Sequence, residues 1–509
     1  MLQYSLSASD ECAMPFRNWL CHTARFFLCH RLEANEIWSY GSTFGENAFL
    51  SKKALGLRLA SFRGWKEGWL AVHAALIAIK GPSGKEVFGC VSLPKGAGKT
   101  EVATMISTLK GWQIRFLGDD VVWIMVTPDR KLYALAPENG IFACPDNSTR
   151  EQNPNMFKML SKDAILVNCA TTNRGRFFWD GLENFLEENE LVKDWKNEKW
   201  TIEQKRTPSH VNCHYTVFTS SAPNVHPYWE LSTGVPLSFI VFGCKRTDQM
   251  PLVYETESWE HGVTMAAGIR TISHSPLDKP TSALVPDPMC MRTYFSFGVG
   301  QYVKHWLNIK ENLSEKPTQQ GANPAGSSGK SILRGDCLHF EMQKKDPVIL
   351  ELVVLMNDEF NSNKVEVRQN LNRISYKHQE EITRDIQQKE GLVPKIFMVN
   401  WYQEDKDGKR LWPGFGENIR VFEWIVKRCV TPQETAAIPS AIGLLPKQLN
   451  VNGLRTNIEQ LLYVDNNFWT KEIRHIFKFL ENQLGVENIP IINQILTNIS
   501  NRVTVTSKQ

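Results

Sequence analysis

The chain has 509 residues, 42% hydrophobic and 22% charged, a balance that excludes a largely disordered, collagen-like or coiled-coil protein. Lys plus Arg (58) exceed Asp plus Glu (54) only enough for a net charge of +4. That excess is too small for binding nucleic acid or an anionic membrane by bulk charge, so any anion site must be local. The 11 cysteines are scattered, with no Cys-x-x-Cys pair, which argues against a disulfide framework or a zinc ribbon. The start, MLQYSLSASDEC, lacks a signal-peptide pattern, and the apolar runs are shorter than a membrane span. A cytoplasmic protein without a membrane partner is expected.

Taken in chain order, residues 1–38 mix aromatics with Cys, His and Arg without a clean period and read as a fragment of something larger. From Trp38 to Ile309 the text is that of a continuous α/β enzyme, with runs such as VFGCVSL, WQIRFL, AILVNC and SFIVFGC. Many of these are apolar on both faces, which predicts strands in the middle of a sheet, where α/β enzymes hold ligands at strand C-termini. Residues 315–393 change texture. A Pro/Gly/Ser/Gln-rich opening leads into the apolar run VILELVVLM and then a charged stretch, as in an inserted segment. Enzyme-like text resumes at Pro394, and Phe468 to Leu484 has helical spacing of apolar residues. No internal repeat is present.

The sharpest local signal is SLPKGAGKTEVATM, residues 92–105, between a strand-like run and a helix-like one. Gly96, Ala97 and Gly98 can present backbone N–H groups to phosphate oxygens, Lys99 can reach the β- and γ-phosphates, and the Thr100 hydroxyl can ligate a nucleotide-bound Mg²⁺. Leu93 stands where such loops have their first glycine. Some twenty residues on, WQIRFL runs into GDDVVW and sets Asp119 and Asp120 at a strand end, where carboxylates can face phosphates and hold a divalent cation. Alone, the Asp pair could equally cap a strand. A second string, AGSSGKS ending at Ser331, has no preceding strand and reads as a flexible loop.

These residues sit among longer motifs: SYGSTFGENAFLSKK, GWLAVH, LPKGAGKT, GDDVVW, LAPENGIF followed by NPN, PLVYETESWEHGV, DPMCMR and NWYQEDKDGKRLWPGFGEN. In that order they resemble the GTP-dependent phosphoenolpyruvate carboxykinase family, from Trp38 to Ile309 and from Pro394 to the end. The resemblance implies a two-lobed α/β fold with mixed sheets and a phosphate-binding loop. Residues 1–67 would be the remnant of an N-terminal substrate lobe, and 68–509 a C-terminal nucleotide- and metal-binding domain carrying a disordered or artefactual insertion at 315–393. It implies a monomer that turns oxaloacetate and GTP into phosphoenolpyruvate, GDP and CO₂ in gluconeogenesis. Mn²⁺ would occupy an enzyme site, and Mg²⁺ or Mn²⁺ would travel with GTP.

Carried over by position, Lys53, His73 and Asp120 would ligate Mn²⁺, which requires a Lys53 held neutral by burial and neighbouring cations. Seen alone, His73 on the apolar GWLAVHAALI face would read as a core histidine. Lys52 would stabilise the enolate left by decarboxylation, and Asp119 would support the nucleotide metal. Lys99, Thr100, Glu101 and Arg246 would surround the transferring phosphoryl group, although Arg246 alone reads as a surface arginine on a turn. Tyr402 and Phe415 would sandwich guanine and Asn418 would read its edge, with Gly416 and Glu417 in the same loop. Phe44, Gly45, Glu46, Lys95, Asn212, Cys213 and His214 would contact the substrate, His214 also facing the γ-phosphate.

The chain departs from the family at several of these places. Its N-terminus lacks most of a lobe, with the match beginning near Asn18 and Trp19. Phe44-Gly45-Glu46 stands where the family has Tyr-Gly-Gly, and Asn212-Cys213-His214 where it has Asn-Ser-Arg. A histidine cannot offer the bidentate, permanently charged fork of arginine. Lys95-Gly96-Ala97 replaces Ser-Ala-Cys in the loop, Glu101 replaces an asparagine, and Arg410 replaces an aromatic of the guanine clamp. Two other readings follow: a GTP- and Mn²⁺-binding protein of this fold without turnover, or a misassembled gene product of an ordinary enzyme.

Overall fold

The computed structural model describes residues 27–40, 53–145, 148–204, 206–210, 213–272, 283–314, 393–484 and 489–506. The inserted segment, save Val393 at its end, and the AGSSGKS string lie outside them. Among the described residues, an 11-stranded mixed sheet forms the centre. Its middle strand, Val235–Gly243, runs parallel to Glu86–Ser92 on one side and to Lys395–Val399 on the other. Ala75–Lys80 is antiparallel to Glu86–Ser92 and pairs in turn with Gln113–Gly118. The apolar-on-both-faces strings explain this placement: every residue from Val87 to Ser92 and from Phe239 to Gly243 is buried.

Period two divides the side chains between two cores. Leu76, Ala78, Ile240 and Phe242 join one apolar cluster, which includes Trp259, Trp306, Trp469 and Ile473 from covering helices. Ala75, Ile77, Ile79, Phe239 and Val241 join the other, with Val102 and Ala103 of the phosphate-loop helix and Phe422 and Ile425 of helix Ile419–Val430. The sheet is thus covered by helices on both faces, as an α/β class requires. The predicted C-terminal helix is found as Asn466–Leu484.

One expected strand lies elsewhere. The AILVNC string forms Ile165–Val167 in a separate three-stranded sheet with His214–Val217 and Ile141–Ala143. Ile165 there is 61% exposed, so the run belongs to an edge and not to the middle of the main sheet. A four-stranded antiparallel sheet between Ala170 and Trp200 has its own small core of Ala170, Phe178, Val192 and Trp200.

Candidate active site

The geometry of the sheet brings the candidate residues to one edge. The parallel strands Glu86–Ser92, Val235–Gly243 and Lys395–Val399 all end there and continue into the phosphate loop, Cys244-Lys245-Arg246 and Asn400-Trp401-Tyr402 respectively. Gln113–Gly118 points the same way and delivers Asp119 and Asp120, while His73 stands just before Ala75–Lys80 at the same edge.

In the loop, Gly96 and Gly98 have φ of +71° and +87°, the left-handed region that a side chain disfavours, and Gly98 caps helix Lys99–Thr104. The loop rests on the neighbouring strand end: Trp401 Nε1 donates to the Ala97 carbonyl at 3.2 Å and Tyr402 Oη to that of Gly96 at 3.4 Å. Lys95 and Gly96 are exposed at its tip. Lys99 is 7% exposed and directs its ammonium at Asp119 Oδ1, 3.0 Å away, and at Asp120 Oδ1. Thr100 Oγ1 donates to Asp119 Oδ2 at 2.9 Å. Burial works against the Lys99 charge, but the two carboxylates outweigh it and raise its pKa. Glu101 lies beside them with its pKa raised by burial first and by Asp119 as well.

Asp120 occupies an unusual backbone position. Its φ is +69°, and the Val121 N–H returns to the Asp119 carbonyl at 2.9 Å, closing a three-residue turn around it. That turn aims its carboxylate at His73 Nε2, 3.3 Å away, and at Lys53 Nζ, 3.1 Å away. His73 is 2% exposed, and burial, then Lys99, lowers its pKa to about 4, so the ring is neutral. Its Nδ1 lies 3.0 Å from the Cys290 carbonyl, which can only accept, so the single ring proton sits on Nδ1 and Nε2 presents a lone pair toward Asp120. A neutral imidazole nitrogen facing a carboxylate, with a lysine beside them, is a donor set that suits a divalent cation. Among the described residues, no three His, Cys, Asp or Glu side chains group to hold a metal, so such a site depends on Lys53 as its third member.

The neutral Lys53 anticipated above depends on a neighbouring metal cation, and the protein's own groups around it favour the charged form. Burial does pull its pKa down, but Asp120 and the Tyr294 hydroxyl, 3.2 Å away, together reverse the shift and keep the ammonium charged. A metal and the Lys53 ammonium therefore compete for the same carboxylate.

Arg246 also requires correction. The period-two alternation that puts Val241 on the phosphate-loop side puts Phe242, Cys244 and Arg246 on the other. Its guanidinium, 2% exposed, donates to Asp248 at 3.0 Å and to Glu472 of helix Asn466–Leu484 at 2.6 Å. Arg270 shares Glu472 through an Nε–Oε1 bond of 3.2 Å. The cation turned toward the nucleotide side is Lys245, whose Nζ lies 5.1 Å from the Tyr402 ring centre. Burial, then Arg410, lowers its pKa to about 8, with Glu101 opposing.

At the predicted guanine clamp, the Arg410 guanidinium lies over the Tyr402 ring, 4.6 Å from its centre. Phe415 is held at φ +46° directly after Gly414, and the Gly416 backbone is seated so closely that an added Cβ would lie 2.6 Å from the Ile106 carbonyl oxygen. Thr108 donates to Glu417 at 2.9 Å, tying this turn to the segment after the phosphate-loop helix. Asn418, 4% exposed, accepts from Trp412 Nε1 at 2.8 Å, so what it can offer a base is its amide N–H₂.

On the substrate side, His214 is buried and its ring lies 4.2 Å from that of Phe142. Cys213 is buried beside it. Phe44, Gly45, Glu46, Lys52 and Asn212 lie outside the described residues. Strands Arg270–Ile272 and Leu284–Pro286 pair antiparallel.

Sequence reasoning assigned no role to DPMCMR, yet this stretch orients His73. Met289 and Cys290 both have positive φ, 53° and 57°, and the kink turns the Cys290 carbonyl to Nδ1. Ser92 Oγ then donates to the His73 carbonyl at 2.8 Å. Two non-glycine left-handed residues in succession leave no signature in composition or period.

A phosphate loop whose lysine and threonine meet an Asp pair at the C-terminal edge of a mixed sheet defines a P-loop nucleotide-binding α/β protein. Residues 69–323 and 372–502 match the phosphoenolpyruvate carboxykinase C-terminal P-loop domain, and residues 4–65 the N-terminal domain of the same enzyme, so that match starts earlier than Asn18. The chain belongs to the phosphoenolpyruvate carboxykinase family. It is 31% identical to phosphoenolpyruvate carboxykinase [GTP] of Haemonchus contortus over 472 residues, which are 92% of this chain and 64% of the relative. Against the cytosolic [GTP] enzyme of Bos taurus it is 30% identical over 497 residues, 96% of this chain and 67% of that one. Against the mitochondrial [GTP] enzyme of Homo sapiens it is 30% identical over 474 residues, 92% and 62%. The chain thus spans about two-thirds of the length of these relatives.

Proposed function

We propose that the chain is a GTP-dependent phosphoenolpyruvate carboxykinase, a lyase converting oxaloacetate and GTP into phosphoenolpyruvate, GDP and CO₂. The observation that carries this reading is the buried cluster in which Lys99 and Thr100 of the phosphate loop bond Asp119 and Asp120, with Asp120 also facing His73 and Lys53. The printed names of the relatives support the same reaction.

The reaction needs an enolate oxygen next to a γ-phosphoryl group and positive charge around both. The Gly96–Gly98 backbone and Lys99 would hold the triphosphate, and Thr100 with Asp119 would hold the nucleotide's metal. His73, Asp120 and Lys53 would hold a second divalent cation, Mn²⁺ by family habit, which when bound supplies electrophilic stabilisation of the developing negative charge. Lys245, in place of Arg246, faces the phosphoryl group as it transfers. Tyr402, Phe415 and Arg410 stack the base, and the Asn418 amide donates to it. Substrate recognition by residues 44–46, Lys52, Lys95 and 212–214 rests on the sequence resemblance. We further assign 1–67 to the substrate lobe and 68–509 to the catalytic domain, a monomeric state, and a gluconeogenic role in the cytoplasm. Among the described residues no helix is long and apolar enough to cross a membrane.

The test is phosphoenolpyruvate formation by the purified chain with Mn²⁺ and Mg²⁺, comparing GTP with ATP. GTP-selective turnover is expected. A folded sample that binds GTP and forms no product would overturn the enzymatic reading and leave a nucleotide-binding protein.

A further inference from the structure

The four-stranded sheet between Ala170 and Trp200 is an outgrowth with its own core, and the chain enters it from strand Ile165–Val167 and returns into strand His214–Val217. Those two strands are antiparallel neighbours, with Val167 opposite His214, so entry and exit lie side by side at the neck of the outgrowth. Cys169 and Cys213 are the residues at that neck, and their sulfurs are 2.8 Å apart although 44 positions separate them in sequence. We propose that Cys169 and Cys213 are a redox-active pair that forms a reversible disulfide across this neck.

Three local features support the pairing. Asn168, at φ +60°, turns the chain between Val167 and Cys169, swinging Cys169 back toward the partner strand. The His210 N–H donates to the Asn168 carbonyl at 3.0 Å and the Cys213 N–H to the His210 carbonyl at 2.8 Å, so hydrogen bonds already join the two arms. Contact between the sulfurs then needs little backbone movement to reach a bond of about 2.05 Å. The two thiols also differ in access. Cys169 is part-exposed and Cys213 is 1% exposed, so an external oxidant meets Cys169 first and Cys213 acts from within.

With a small-molecule disulfide as oxidant, the Cys169 thiolate attacks one of its sulfurs and releases one small thiolate. Cys213 then attacks Cys169 in the mixed disulfide and releases the second. Two protein thiols lose two electrons and two protons, and one external disulfide becomes two thiols. The crosslink would fasten the outgrowth to the strand carrying His214.

The experiment treats the reduced, full-length chain with oxidised glutathione, alkylates the remaining thiols, and maps unreduced peptides by mass spectrometry. A Cys169–Cys213 peptide without stable glutathione at Cys169, reversed by dithiothreitol, is expected. In Cys213→Ser the glutathione adduct should persist at Cys169, because the thiol that displaces it is gone. Amide hydrogen exchange at His214–Val217 should slow several-fold in the oxidised native chain and stay unchanged in Cys213→Ser. A native chain that keeps glutathione on Cys169 while Cys213 remains alkylatable would overturn the proposal, as would failure of either cysteine to react. Equal exchange in both redox states would overturn the clamp across the neck.

Discussion

Replacing Lys99 by Met keeps most of the side-chain volume while removing the charge that faces two buried carboxylates. Asp119 and Asp120 are 1% and 3% exposed, and the cations against them are Lys99 and Lys53. Lys99→Met leaves Lys53 to offset both carboxylates. Breaking a buried pair from one side costs roughly 3 to 5 kcal/mol, and Thr100 and Lys53 still hold one carboxylate each, so a loss near 3 kcal/mol is expected at pH 7. The like charges left together raise one carboxyl pKa, so the difference from the native chain shrinks as pH falls. Urea unfolding at pH 7 and pH 5 reads both effects. For GTP, losing one charge-assisted contact costs about 1.5 to 3 kcal/mol, roughly ten- to a hundredfold in Kd by calorimetry. Added Mn²⁺ should stabilise Lys99→Met more than the native chain, because a cation at Asp120 supplies the missing charge. Unchanged GTP affinity would refute the phosphate-loop assignment, and equal Mn²⁺ shifts would refute the shared role of Asp120.

Three further outcomes follow from the same geometry. Gly98→Ala should cost about 1 to 2 kcal/mol in thermal unfolding and weaken GTP binding, because φ is +87° while the nearest atoms to an added Cβ lie an ordinary 3.6 Å away or more. An unchanged unfolding midpoint would mean that the loop does not need that backbone conformation. Asn418→Asp keeps the acceptor for Trp412 and removes the amide donors, so GTP affinity should fall about tenfold while ATP affinity moves little, measured by competitive calorimetry. Burial opposes the Glu472 carboxylate, but Arg246 and Arg270 outweigh it and hold the pKa at about 2, below the ordinary 4.5. That stabilisation is complete above pH 4.5 and is lost as pH falls toward 2. Glu472→Gln should therefore lose about 3 kcal/mol at pH 7 and about 2 kcal/mol less than that at pH 3, read from urea midpoints.

What the sequence disclosed depended on whether the signal was local. The phosphate loop was legible because glycine, lysine and threonine must follow one another to wrap a phosphate, and the Asp pair because a strand must stop to turn its carboxylates inward. The central strands were legible as runs apolar on both faces, and AILVNC misled because an apolar run at a small sheet's edge looks the same. Arg246 failed by one residue. Continuing the alternation Phe239, Val241, Gly243 selects Lys245 for the phosphate-loop side, and that parity was available in SFIVFGCKR. Glu472, which takes up Arg246, lies 226 positions away, a distance at which no periodicity speaks. The neck formed by Cys169 and Cys213 was hidden for the same reason.

The protonation of Lys53 has a consequence for how the site is held ready. Asp120, Met289 and Cys290 all sit at positive φ, conformations that cost of order 1 to 3 kcal/mol each and persist only where surrounding packing imposes them. Met289 and Cys290 are fully or nearly fully buried in the same apolar cluster as Val72 and Ala74, which flank His73. Packing on that face therefore fixes the Cys290 carbonyl, the carbonyl fixes the histidine tautomer, and the tautomer leaves a lone pair opposite Asp120. Two acceptors held face to face repel unless a positive charge lies between or beside them, and here Lys53 and Lys99 supply it. A divalent cation at this position must displace the lysines' hold on Asp120, and a displaced Lys53 becomes easier to deprotonate as the carboxylate that stabilised its charge is taken up. Cation binding should thus release protons, more of them at pH 9 than at pH 7, because the raised pKa leaves Lys53 charged beforehand at both while the displaced amine deprotonates more fully at the higher pH.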